Sequence, residues 1–245
     1  MKVPAPAERV FLSAEWRDLV MLNFEVDPGL LRSHVPPGTE LDSFGGKTFV
    51  SLVGFRFLRT KLLGILPIPY HSNFDEVNLR FYVRRQQGAT LRRGVVFIRE
   101  IVPRRAIADV ARLVYGENYT RHPMRHSINK DGACYTAEYE WRFKQRWCRL
   151  CGRAAGIPAA PLEGSLEQFI TEHYWGYSQK RKGACVEYHV THDPWLVWTA
   201  TTAGFEGAGD AVYGSGFGDV LCGAPDSAFI ADGSAVQVFM GRRIS

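Results

Sequence analysis

Cysteine is scarce in this chain, five residues in 245, and the count is odd. So few thiols make no disulfide framework and point to a reducing compartment, the cytoplasm. Long apolar runs are missing too. Stretches such as LLGILPIPY are too short to span a bilayer and are broken by proline. The opening MKVPAPAERVFLSAEW contains no apolar segment of the kind a secretory leader needs. There is no GxSxG elbow and no cysteine in a nucleophile's context, so Ser/His/Asp and Cys/His hydrolysis lack support. No strand–helix–strand alternation appears, which argues against a doubly wound nucleotide-binding sheet. The glycine-rich GSGFGD at 214–219 has no clear strand-to-helix junction around it and reads as a surface loop.

Charge of one sign is only mildly in excess, a net +5 with 22% charged residues. Basic residues come as short groups at Arg84 and Arg85, Arg92 and Arg93, Arg104 and Arg105, and Lys180 to Lys182, with acids interleaved. No RNA-binding signature or zinc-finger spacing accompanies them, so nucleic acid is a minor reading. Metal ligation is equally thin. Cys148 and Cys151 form the only close cysteine pair and lack the second pair that four-ligand zinc requires. His189 and His192 lie three apart on a strand pattern, which turns them to opposite faces. His173 reads as a side chain at a helix C-terminus, favoured by the helix dipole. No metal and no cofactor is expected.

What is present is a hydrophobic content of 46% and an aromatic content of 13%, enough for one β-rich domain over residues 1–245. Residues 19–26 alternate as a strand, and Asp27-Pro28 then supplies a helix cap and first position. Residues 41–57 suggest a hairpin with Gly45 and Gly46 at its turn. In residues 74–85 Val77, Leu79, Phe81 and Val83 point inward, with Asn78, Arg80, Tyr82 and Arg84 outward. A partner strand follows Gly88, and on it Arg99 and Glu100 fall on opposite faces. One of the two charges therefore points into an interior or a pocket, unless the strand is an edge. Ile107, Val110, Ala111 and Val114 carry a helical period that Gly116 ends. Residues 133–143 form a strand with Tyr135, Ala137, Tyr139, Trp141 and Phe143 on one face. Ser165 and Gln168 make a capping box, and Asp232-Gly233 reads as the turn of a hairpin.

Three stretches together resemble the acetoacetate decarboxylase-like superfamily, and within it the YqjF-like family of uncharacterised bacterial proteins. They are WRDLVMLNFEVDPGLLRSHVPPG, FDEVNLRFYV and ARLVYGENYTRHPM. The resemblance spans roughly residues 8–145. The later FITEHYWGYS and HDPW are similar to the YqjF-like family alone. It implies an open barrel or cone of antiparallel strands with a few short helices, closed around a pocket. It also implies an arginine that reads a substrate carboxylate, at Arg17, and a glutamate that lines the site, at Glu76.

The decarboxylases' lysine pair, whose first member forms a Schiff base, falls on Tyr119 and Thr120. Neither is a lysine, and none lies between Lys61 and Lys130. A phenol cannot form an iminium, so decarboxylation by that route is not expected. Tyr119 and Glu76 remain as candidates for acid–base catalysis, with Arg17 and His122 for substrate binding. The expected ligand is a small organic acid or carbonyl compound. A non-catalytic sensing or binding protein is the alternative, and Arg17 with Glu76 as a buried ion pair is the structural one. Assembly into a homo-oligomer is a further implication of the resemblance.

Overall fold

The computed structural model describes residues 9–67, 72–104, 118–179 and 183–244. The helical period at 107–116 and the basic triplet at 180–182 lie outside the described residues. The chain begins with β1 (Val10–Val26), α1 (Pro28–Leu31), β2 (Glu40–Leu41), β3 (Thr48–Leu62), β4 (Leu66–Pro67), β5 (Phe74–Gln87) and β6 (Thr90–Val102). It continues through β7 (Tyr119–Arg121), β8 (Met124–Asp131), β9 (Cys134–Phe143) and β10 (Arg146–Ala155). After these come α2 (Leu166–Thr171), β11 (Trp175–Gln179), β12 (Cys185–His192) and β13 (Val197–Glu206). It closes with α3 (Gly209–Tyr213), α4 (Phe217–Cys222), β14 (Ser227–Ala231), β15 (Ala235–Phe239) and β16 (Arg242–Ile244).

β1 organises the rest. It is bent at Asp18, which adopts a φ of 58°, a conformation Asp tolerates better than most L residues. Tyr135 donates to an Asp18 carboxylate oxygen at 2.6 Å and Tyr139 to its backbone carbonyl at 2.8 Å, holding the bend. Before the bend β1 pairs with β15, after it with β14, and β3 runs along its other edge. From β3 the pairing passes through β5, β6, β11, β12 and β15 back to β1, which makes a ring. Only the β6–β11 step of that ring is parallel. A second sheet leaves β1 through β14, β13, β10, β9 and β8.

The second sheet packs against the outside of the ring. Val20, Leu52, Val77, Leu79 and Phe81 meet Tyr139, Trp141 and Leu150 in one buried cluster. The inside of the ring holds another, with Met21, Val53, Phe55, Phe57, Tyr82 and Phe169. β5 is therefore buried on both faces. This corrects the outward assignment of Asn78, Arg80 and Tyr82, which are 2%, 9% and 1% exposed. Alternation told the two faces apart but could not say that the second also meets protein.

Several local expectations hold. Asp27 caps α1 by accepting from the Gly29 N–H at 2.6 Å, and Ser165 caps α2 by accepting from that of Gln168 at 3.2 Å. Others are corrected. Gly45 and Gly46 do make a hairpin turn with positive φ, closed by reciprocal backbone bonds between Phe44 and Lys47, but the preceding β2 pairs with β5 and not with β3. The residues around Asp232-Gly233 form no hairpin, because β14 and β15 each pair with a different half of β1. The 214–219 segment is not only a loop, since α4 starts at Phe217, whose ring is buried.

Candidate functional site

The ring encloses a cavity of about 170 Å³. β5 supplies its polar floor. Glu76, Asn78 and Arg80 stand two residues apart on one face, as the pleat requires, and all three line the cavity. Phe55 lies directly across from Glu76 on β3, and Glu100 directly across from Asn78 on β6. β7 lies beside β6 with Tyr119 level with Glu100. Tyr119 and Glu100 also line the cavity and are 8% and 1% exposed.

Tyr119 donates to Glu76 Oε2 at 3.2 Å and the Asn78 amide donates to Oε1 at 2.9 Å. Burial raises the Glu76 carboxyl from its ordinary 4.5 to about 7, against the pull of those two hydrogen bonds and of the Arg80 charge. Near neutrality Glu76 thus has both protonation states within reach, which suits a proton carrier. Arg80 donates to the Ile170 carbonyl at 3.1 Å, while its Nε is buried without a partner. Among the described residues it forms no ion pair. An uncompensated buried guanidinium costs several kcal/mol, on the order of a broken buried ion pair, unless an anion joins it.

His173 lies beyond the end of α2 in the cavity wall and not in the solvated, dipole-favoured role expected of it. Its ring packs on Tyr82 at 4.7 Å and on Phe169 at 5.0 Å. Nε2 is 3.7 Å from Asp42 Oδ2, and burial pushes the imidazole pKa down, toward the neutral form. His192 lines the cavity as well, whereas His189 is stacked between Trp175 and Phe239 on the other face of β12. Among the described residues no group of three or more His, Cys, Asp or Glu side chains could hold a metal ion.

Of the four residues singled out in the sequence, Glu76 and Tyr119 meet. Arg17 and His122 do not join them. Arg17 binds Glu15 at 3.0 Å and the Gly233 carbonyl at 3.0 Å, and it is absent from the cavity wall. On β1 its neighbour Trp16 faces the cavity, so Arg17 faces away from it. The proposed Arg17–Glu76 ion pair is therefore not formed. His122 hydrogen-bonds the Arg142 carbonyl at 3.0 Å and packs against Phe143, outside the cavity. Thr120 donates to the Glu100 carbonyl at 3.3 Å. Glu100 is the charge of the Arg99–Glu100 pair that was expected to face an interior, whereas Asn78, Arg80 and His173 were not expected in the site. The pattern EVNLR carried a signal, since Glu, Asn and Arg on one face of a strand buried on both sides cannot be a solvated stripe.

The family's sequence profile, described as an uncharacterized conserved protein family, DUF2071, matches residues 13–235. The uncharacterized protein YqjF of Bacillus subtilis is 26% identical over 185 residues, covering 76% of this chain and 74% of YqjF. Among solved structures, acetoacetate decarboxylase from Legionella pneumophila aligns with a TM-score of 0.65 at 14% identity, covering all of this chain and 93% of its own. The enduracididine biosynthesis enzyme MppR, complexed with pyruvate, aligns with a TM-score of 0.67 at 14% identity, covering 99% and 93%. An acetoacetate decarboxylase-like enzyme from Sphingomonas wittichii gives 0.65 at 12% identity, covering 100% and 97%. The chain belongs to the DUF2071 family of uncharacterised conserved proteins, YqjF-like in sequence and acetoacetate decarboxylase-like in fold.

Proposed function

We propose that the cavity binds a small organic acid carrying a carbonyl group, and that Glu76 exchanges a proton with it without an imine intermediate. The observation that carries this reading is Arg80, a buried cation with no direct ion pair among the described residues, on the same strand face as Glu76. An anionic ligand supplies the missing charge and gains a strong, desolvated contact. Glu76 as carboxylate takes a proton from the carbon beside the carbonyl, the electron pair moves onto the carbonyl oxygen, and Tyr119 hydrogen-bonds the resulting enolate. Return of the proton completes a keto–enol exchange. No lysine lines the cavity among the described residues, so this chemistry needs none.

The fold relatives bear on the ligand class. MppR is a protein that binds pyruvate, a small oxo acid of the kind this reading requires. The predominantly apolar wall also favours the binding-only alternative, in which the same ligand is held and not turned over. Proton exchange separates the two. Incubation with pyruvate in D2O, followed by proton NMR of the methyl signal, should show exchange faster than buffer alone and lost in Glu76→Gln. Thermal stabilisation by pyruvate without exchange would leave a binding protein. No stabilisation by any small oxo acid would end the proposal.

The arginine pairs give the nucleic-acid reading little support. Arg84 pairs with Glu40, Arg85 and Arg92 with Glu187, and Arg93 with Asp42. Among the described residues no helix is long and apolar enough to cross a membrane.

A further inference from the structure

The end of the cavity beside Glu76 is built of rings. Trp16 meets Phe55 at 5.5 Å, Phe57 at 6.0 Å and Trp195 at 6.2 Å between ring centroids. Phe57 stacks on Phe74 at 4.5 Å and His192 on Trp195 at 4.4 Å. All six line the cavity. Edge-to-face and stacked contacts of this kind favour an inserted ring over an alkyl chain of similar size. An apolar cavity of about 150 Å³ accepts one benzene ring, and this one is about 170 Å³. One ring and a short polar arm fit.

Among the described residues, two donors in this wall, Trp16 Nε1 and Thr60 Oγ1, are buried and make no hydrogen bond. The contrast with Trp195 is informative, since its Nε1 donates to Ser234 at 3.0 Å. A buried donor left unsatisfied is costly, and both donors belong to residues that line the space a ligand would fill.

We infer that the ligand is a single-ring aryl oxo acid whose ring carries a hydroxyl or similar acceptor. Its carboxylate meets Arg80, its ring lies on the Trp16, Phe55, Phe57 and Phe74 wall, and its ring oxygen accepts from Trp16 Nε1. This rests on the carboxylate-binding reading of the same cavity and adds the ligand's other end.

The test compares pyruvate, phenylpyruvate and 4-hydroxyphenylpyruvate by tryptophan fluorescence titration on the full chain. Phenylpyruvate should bind at least about tenfold tighter than pyruvate, the scale of a filled apolar subsite. The ring hydroxyl should add about three- to tenfold, the worth of one net hydrogen bond. Trp16→Phe should erase the hydroxyl preference and keep the ring preference, while Trp195→Phe should keep both. Should Trp16→Phe fail to fold, Phe74→Leu serves instead. It should weaken both aryl acids by a larger factor than it weakens pyruvate. Pyruvate binding as tightly as the aryl acids overturns the inference and leaves the carboxylate site standing. A hydroxyl preference that survives in Trp16→Phe overturns the assignment of its acceptor. Failure of all three acids to bind wild type removes this inference and the reading beneath it together.

Discussion

The hydroxyl of Tyr119 and the carboxylate of Glu76, 43 positions apart in the chain, meet at 3.2 Å inside the ring of strands. The resemblance to the acetoacetate decarboxylases implies an amine where this phenol stands. Borohydride added with pyruvate should therefore trap no covalent adduct by intact-protein mass spectrometry. A lysine adduct would show that the imine route survives through a residue outside this pair.

Glu76 also predicts how stability depends on pH. Its carboxyl is raised by burial to about 7 from 4.5. Below pH 4.5 the folded and unfolded chains both hold this proton, and its contribution is constant. Between 4.5 and 7 the unfolded chain releases the proton while the folded chain keeps it, so stability falls as pH rises. The loss is about 1.4 kcal/mol per pH unit and accumulates to about 3 kcal/mol above pH 7. Glu76→Gln, which cannot titrate, should flatten this decline and be the more stable protein at pH 8. Urea melts of both proteins at pH 5, 6.5 and 8 check it, and parallel curves would count against a buried, proton-holding Glu76.

Arg80 and Arg17 make opposite predictions. Arg80→Gln should abolish thermal stabilisation by small oxo acids, and because it removes an unpaired buried charge, the free protein should not lose stability by more than about 1 kcal/mol. Arg17→Ala should leave the ligand response intact, since its guanidinium is held by Glu15 and Gly233. A reversed pattern in a thermal-shift titration would return the carboxylate to the residue that the family pattern suggested.

Gly233 supports the cavity from behind. It adopts a φ of 77°, and a Cβ there would stand 2.0 Å from the Trp16 carbonyl oxygen. Gly233→Ala combines backbone strain with overpacking and should cost about 2–4 kcal/mol. The displaced Trp16 should shift its fluorescence emission. Unchanged stability would mean that the β1 bend and the segment between β14 and β15 are not tightly docked.

Glu187 is fully buried, paired with Arg85, Arg92 and Arg242, and accepts a hydrogen bond from Tyr177 at 3.1 Å. Its pKa is lowered overall, because the bonds from Arg242, Arg92 and Tyr177 outweigh the desolvation that raises it. The stability it adds is present above the ordinary carboxylate range and is lost as pH falls through the depressed value. Glu187→Ala leaves three guanidiniums uncompensated and should cost about 3–5 kcal/mol in chemical denaturation. A loss below about 1 kcal/mol would reduce the cluster to surface pairing.

Much of this was legible from local pattern. The alternation in β5 and β9, the Asp27 and Ser165 caps and the Gly45-Gly46 turn need only neighbours within a few residues, and each is where its chemistry placed it. Glu76 and Tyr119 were singled out through the resemblance, and the ring of strands brings them within hydrogen-bond distance. Arg17 went astray because one residue along a strand reverses its face, and the bend at Asp18 shifts the pairing just there. Arg80 and His173 were passed over for a related reason. Local polarity reads as solvent exposure until a second layer of protein is known to cover it.

Taken alone, the order of residues determined that this chain is strand-rich, that it has the acetoacetate decarboxylase-like pattern, and that the Schiff-base lysine is missing from that pattern. Those are properties of side-chain identity and short-range periodicity. Tertiary structure decided which arginine stands beside Glu76, which histidine is buried, and that the polar face of β5 is a floor and not a surface. These depend on ring closure between β1 and β15 and on a single bent residue, which no period of two along a strand encodes.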